Sequence, residues 1–416
     1  MPPSITNTQK ETLDRIIDEA VSSRSTPASY FGVASAEGVL YQRTAGRKQV
    51  DDPESAPINE DTLFWVCSQT KLITTIAALL LIERGQIALD TVVETILPEL
   101  ANPVVVTSYD EAGWVKTSKP AKEKITLGNL LNHTSGLDYW ADRKMPSSDL
   151  PLAYTYRYKD GEGVATFFQM LKSSSTGVLL AFEPGTGFGY GFSTDCVGFI
   201  IERLSGKTLE QYFQDHIFTP LGITSASFYL TPELRDRLLP LSFRNKNGDL
   251  ESWDRPPVIE QDPDKVRFHL GGVGLYSSQH DYLKVLQHLL QIKAGNAANA
   301  ILTRTSVDLL FTPTLPGTAT KGLRSFMRFT HPLLNIPNNA AQFSWGLFVN
   351  SADIKGKRRS GSGAWDGFAT TSFFIDPTTG LAAVFATQLL PVADATHEEM
   401  YDVLERALYS DPKARL

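Results

Sequence analysis

A chain of 416 residues, 42% hydrophobic and only 20% charged, carries enough apolar substance for a large buried core and enough length for two closely packed domains. Its formal net charge of −7, with Lys and Arg scattered along the sequence, gives no basic footprint for neutralising phosphates, so nucleic-acid binding is excluded as an expectation. Two cysteines, Cys67 and Cys196, make neither a disulfide framework nor a zinc site and read as buried reduced thiols.

The opening Met1-Pro2-Pro3-Ser4 lacks a basic region followed by an apolar stretch, so no secretory signal is read there and a cytoplasmic protein is expected. Residues 7 to 23 place Leu13, Ile16, Ile17, Ala20 and Val21 at helical spacing, with Thr6 or Asn7 available as a cap. Tyr30 to Ala34 and Val39 to Arg43 flank a short polar turn with Gly38 and predict a β-hairpin. The apolar run Leu72 to Ile82 is interrupted by two threonines and falls short of the about 20 residues a membrane span needs; it predicts a buried helix. Further helices are expected at 126 to 132, 164 to 172, 195 to 204, 209 to 216 and 279 to 291, whereas 101 to 124 and 312 to 342 read as loop-rich excursions that cover a site. Strands follow at 344 to 349, 370 to 375 and 381 to 387, the last two joined by Asp376-Pro377-Thr378-Thr379-Gly380, and a helix over 394 to 409 closes the chain. Strands at both ends predict an α+β fold: one antiparallel sheet made from both chain ends (1–90 and 335–416) flanked by helices, with a mainly helical region (91–334) inserted.

No Gly-x-Ser-x-Gly elbow, His-Glu-x-x-His helix or phosphate-binding loop is present, and the glycine-rich stretch Gly185 to Gly191 misses the dinucleotide spacing. Apart from His280 and His288, two turns apart, the seven histidines lack close ligand pairing, so neither a metal nor another cofactor is expected. The informative tetrad is Ser68-Gln69-Thr70-Lys71 at the entrance of the apolar helix. At i and i+3 a hydroxyl and an amine share one helix face, which supplies a nucleophile with an adjacent base, and the apolar wall of Leu72, Ile73, Ile76 and Ala77 disfavours the charged amine. Ser-x-x-Lys recurs at Ser410-Asp411-Pro412-Lys413, so the tetrad alone is weak; an ordinary helix cap followed by an incidental lysine is its plain alternative. A second element, Glu183-Pro184-Gly185 through Tyr190 to Asp195, is a glycine-rich loop running into a helix, with Tyr190 and Ser193 carrying usable hydroxyls. A third, Gly361-Ser362-Gly363-Ala364-Trp365-Asp366-Gly367-Phe368-Ala369, stands just before a strand near the C-terminus, where an edge strand can offer a backbone N–H to a bound carbonyl oxygen.

Together with His133-Thr134-Ser135-Gly136-Leu137 and Gly271-Gly272-Val273-Gly274-Leu275, these motifs stand in the order found in the class C β-lactamase-related family, which the chain resembles over roughly residues 10 to 405. That family includes penicillin-binding proteins, family VIII-type esterases and the fungal transesterases that acylate polyketides in lovastatin-like pathways. The resemblance implies a β-lactamase and penicillin-binding-protein-like fold, Ser68 as nucleophile, Lys71 as its proton acceptor and Tyr190 as a proton shuttle. It also implies an oxyanion hole from the N–H groups of Ser68 and Phe368, and a structural His133. Gly367, Trp365, Asp366, Ser193, Tyr139, Trp140 and Phe188 are the expected oxyanion and substrate-binding surroundings, their aromatics pointing to an apolar cleft. Two departures stand out. The family's Tyr-x-Asn becomes Tyr190-Gly191-Phe192-Ser193, and the Lys-Thr-Gly of true β-lactamases becomes Trp365-Asp366-Gly367. Losing that lysine removes the cation for a β-lactam carboxylate, and Asp366 adds negative charge, which favours a bulky neutral ester or thioester. The expected function is a serine acyltransferase of secondary metabolism that moves an acyl group from an ester or thioester, carrier-protein or coenzyme A thioesters included, to a small-molecule alcohol. A carboxylesterase using the same acyl-enzyme is the alternative, and a catalytically silent ligand-binding scaffold a lesser one.

Overall fold

The computed structural model describes residues 3–144, 149–331, 333, 337 and 340–410. Its largest sheet has seven antiparallel strands drawn from both ends of the chain, in the spatial order Ala341–Phe343, Phe348–Asn350, Ser362–Gly367, Thr371–Asp376, Leu381–Ala386, Ser29–Ser35 and Gly38–Ala45. The inner strand Leu381–Ala386, Leu-Ala-Ala-Val-Phe-Ala, is buried at every position, as a strand covered on both faces must be. Its register pairs Phe385 with Phe31 on one side and with Ser372 on the other, so the two chain ends meet in the middle of the sheet. One face is covered by the terminal helices Asn7–Ser22 and Ala395–Leu408: Phe385 stacks on His397 and Tyr401 from the latter. The other face carries Gln279–Ala294, whose Tyr282 ring meets Phe373. Gly32 makes that approach possible, since a Cβ there would lie 2.9 Å from Leu283 Cδ2.

The first helix starts with Thr6 as its cap, completing a capping box with Gln9. Helix Thr70–Glu83 has no solvent face from Thr70 to Leu81, which accounts for its all-round apolar sequence. It packs against helix Ser193–Ser205, which follows the glycine-rich loop. Cys67 and Cys196 are both free and buried.

Three expectations are corrected. The segment 101–124 is not loop: Val104–Tyr109 pairs with Val115–Pro120 and, in parallel, with Leu179–Leu180. Within 312–342 a helix spans Ala319–Thr330. The stretch Ser362–Gly367 is itself a strand with neighbours on both sides, rather than a loop or an edge. The second Ser-x-x-Lys tetrad lies outside the described residues from Asp411 onward.

Candidate active site

Ser68 occupies a 3₁₀ turn, Cys67–Gln69, that runs directly into the buried helix. Cys67 before it takes a φ of 48°, a left-handed conformation that costs a non-glycine residue energy and persists only where neighbours fix it. They do: the Thr70 hydroxyl donates to the Cys67 carbonyl at 2.5 Å and accepts from the Leu275 N–H at 3.1 Å, while Trp65 Nε1 donates to the Val273 carbonyl at 2.7 Å. Ser68 is 7% exposed and faces a cleft. One turn on, Lys71 is 2% exposed, and its Nζ reaches Ser68 Oγ at 3.3 Å, the Tyr139 hydroxyl at 3.3 Å and the Gly272 carbonyl at 2.9 Å. Cys67 is no competing nucleophile, because burial pushes its thiol up to about 11.

Tyr190 arrives from the glycine-rich loop. The His133 to Leu137 motif holds that loop by backbone bonds, with Gly189 N–H donating to the His133 carbonyl at 3.0 Å and Gly185 N–H to the Thr134 carbonyl at 2.8 Å. Gly191 is obligatory: a Cβ would collide with the Leu137 carbonyl and lie 2.7 Å from Asp138 Cα. His133 itself is fully enclosed between Phe188, Tyr190 and Phe343, and burial, aided by the Lys71 charge, holds its imidazole well below the usual pKa. The Tyr190 ring lies 4.6 Å from Lys71 Nζ, and its hydroxyl accepts a 3.0 Å bond from Trp365 Nε1. Indole can only donate, so the phenol keeps its own proton for another acceptor. Tyr139, Phe326 and Trp365 complete an aromatic box around the ring.

Strand Ser362–Gly367 ends against the turn that carries Ser68, where a Cβ on Gly367 would lie 2.7 Å from the Val66 carbonyl oxygen and 3.4 Å from Cys67 Cβ. Phe368 therefore emerges beside Ser68 and lines the same cleft. Trp365 and Trp140 line it too, whereas Phe188 and Ser193 do not. Phe188 is packed against His133 and Phe343, and the Ser193 hydroxyl is spent on Ser135 at 2.8 Å, fully buried. Asp366 does not present an unopposed charge. His331 Nε2 meets Asp366 Oδ2 at 2.9 Å and His331 Nδ1 meets Glu398 at 3.2 Å. Burial works against the charged imidazole, yet the two carboxylates outweigh it and raise His331 to about 10. Burial likewise opposes ionisation of Asp366, and the charge of His331 nonetheless holds it below the usual carboxylate range.

A further network behind Lys71 carries no sequence signature. Asp195, fully buried in the first turn of helix Ser193–Ser205, accepts from the Tyr154 hydroxyl at 2.5 Å and the Gly272 N–H at 2.8 Å. The Tyr154 and Tyr139 hydroxyls are 3.2 Å apart, so the chain Asp195, Tyr154, Tyr139 and the peptide of Gly272 both converge on the lysine. Burial raises the Asp195 pKa, and Lys71 and Tyr154 pull it back. Burial, then neighbouring negative groups, hold Tyr139 and Tyr154 well above the usual phenol range, so both remain protonated donors. Among the described residues no cluster suits a metal ion and no helix is long and apolar enough to cross a membrane.

The family model described as Beta-lactamase matches residues 13–407. The ML-236A carboxylate methylbutanoyltransferase mlcH of Penicillium citrinum is 30% identical, covering 97% of this chain and 95% of that protein. The lovastatin esterase of Penicillium rubens is also 30% identical, over 91% and 93%. Among solved structures, a mutant of simvastatin synthase (LovD) from Aspergillus terreus superposes with a TM-score of 0.79 at 28% identity, covering 99% of both chains. The chain belongs to the Beta-lactamase family, with a β-lactamase and penicillin-binding-protein-like fold, and its relatives are acyltransferases and ester hydrolases.

Proposed function

We propose that this chain is a serine acyltransferase that moves an acyl group from an ester or thioester, including a carrier-protein or coenzyme A thioester, to a small-molecule alcohol in secondary metabolism. Ser68 Oγ attacks the acyl carbonyl while its proton passes to the unprotonated amine form of Lys71, and the N–H groups of Ser68 and Phe368 receive the developing oxyanion. Tyr190 delivers a proton to the departing oxygen or sulfur as its bond to the acyl carbon breaks. The acceptor hydroxyl then repeats the sequence in reverse, attacking the acyl-enzyme and returning Ser68 to its hydroxyl form.

The observation that carries this reading is the 3.3 Å approach of Lys71 Nζ to Ser68 Oγ at the wall of a cleft lined by Tyr139, Tyr190, Trp365 and Phe368. The statin-pathway acyltransferase relatives support transfer over hydrolysis. Hydrolysis by the same intermediate remains the second reading, favoured by the lovastatin esterase of equal identity. Product analysis with an acyl thioester donor, with and without polyketide alcohols, separates them. New ester formed at the expense of free acid supports transfer; free acid alone, whatever alcohol is present, leaves the esterase.

A further inference from the structure

The cleft that Ser68 lines is also lined by Asp366 from the sheet and by His397 and Glu398 from the C-terminal helix, which form its polar floor. There Asp366 and Glu398 flank His331, and the next residue on the helix, His397, lines the same space. His397 is 2% exposed, its ring stacks on Phe385 at 4.7 Å, and neither ring nitrogen has a hydrogen-bond partner among the described residues. A buried imidazole with one donor and one acceptor unused costs free energy unless something fills the role. Two carboxylates against one imidazolium leave this trio with one net negative charge, and Arg358, whose charge also reaches Asp366, is ion-paired with Glu405 at 3.1 Å. Burial also disfavours a cation on His397, its pKa being lowered. The floor therefore offers one donor and several acceptors, and among the described residues no lysine or arginine lines it.

We infer that this end of the cleft is the binding site for the uncharged, hydroxyl-bearing far end of the acyl acceptor, with His397 and the carboxylates of Asp366 and Glu398 taking its hydroxyls and rejecting a carboxylate. The inference rests on the acyl-transfer reading for the identity of the ligand as acceptor. It gives this chain a preference distinct from a relative named for a carboxylate acceptor. A hydroxyl donates to the carboxylates and accepts from His397, whereas a substrate carboxylate meets like charge in a partly desolvated site.

The test measures binding without chemistry, in the Ser68→Ala protein, by calorimetric titration of a terminal decanediol against ω-hydroxydecanoate. Both place a hydroxyl at Ser68 across an apolar chain and differ only at the far end. The diol should bind at least about 10-fold more tightly. His397→Phe, which keeps the ring on Phe385, should cost the diol about 10-fold, and Glu398→Gln should narrow the gap between the two ligands. Equal or tighter binding of the hydroxy acid, no binding of either ligand, or a gap unchanged in both variants would overturn the assignment. Failure of Ser68 to form an acyl-enzyme in the unaltered protein would instead remove the acyl-transfer reading, and a discriminating floor would survive it.

Discussion

Tyr190 shows how one side chain divides its duties. Its ring packs between Tyr139, Phe326 and Trp365, and its oxygen accepts from Trp365 while its proton stays available. Lys71 faces that ring and bonds Ser68, Tyr139 and Gly272. The Tyr190→Phe protein should keep the ring packing and lose the relayed proton. We expect kcat to fall about 10²–10⁴-fold with KM changed only a few-fold, together with a modest loss of stability, about 1 kcal/mol, from the orphaned Trp365 N–H. Single-turnover acylation and thermal melts check this. Near-normal acylation with only the stability lost would reduce the hydroxyl to a structural partner of Trp365.

The elements that were legible in the sequence are those whose pattern and burial agree, such as helix Thr70–Glu83 and the hairpin Ser29–Ala45. Those that were missed break that agreement. Val115–Pro120 is a strand of Val-Lys-Thr-Ser-Lys-Pro lying almost wholly in solvent, with no apolar face to show. Helix Ala319–Thr330 hides a single stripe, Ala319, Leu323 and Met327, among threonines and Gly322. Ser362–Gly367 carries two glycines that weaken its strand pattern, and Gly367 at least is required where the sheet meets the Ser68 turn. The Asp366, His331 and Glu398 cluster joins three distant segments, so no spacing could announce it. Two tests belong at this scale. Gly191→Ala forces a methyl against the backbone of Leu137 and Asp138; we expect at least about 1–3 kcal/mol of lost stability and displacement of Tyr190, seen as a lower Tm and impaired acylation, and an unchanged Tm would mean the loop is not clamped. The second concerns pH. His331 titrates near 6.5 when unfolded and about 10 when held by Asp366 and Glu398, so its stabilisation is complete below pH 6.5 and declines as pH rises toward about 10. The Tm advantage of the unaltered chain over His331→Phe should therefore shrink steadily across that interval. An advantage independent of pH would mean the imidazole acts by packing alone.

At the scale of the whole molecule, the sheet built from both chain ends brings in Phe368, the Cys67–Gln69 turn and the helix after it bring in Ser68 and Lys71, and the glycine-rich loop with its following helix brings in Tyr190 and Asp195. The ordered motifs made the fold readable, because each motif fixes a backbone approach that few residue types permit. The floor of the cleft was unreadable, since its charges are paired by folding alone. The central claim is that Ser68 carries the acyl group, and intact-mass analysis after brief exposure to an acyl thioester tests it most directly, followed by peptide mapping and a chase with an alcohol. The account predicts one acyl adduct on the peptide bearing Ser68, absent in Ser68→Ala and discharged by the alcohol as its ester; a folded, active protein with no adduct, or with one on another residue, would contradict it.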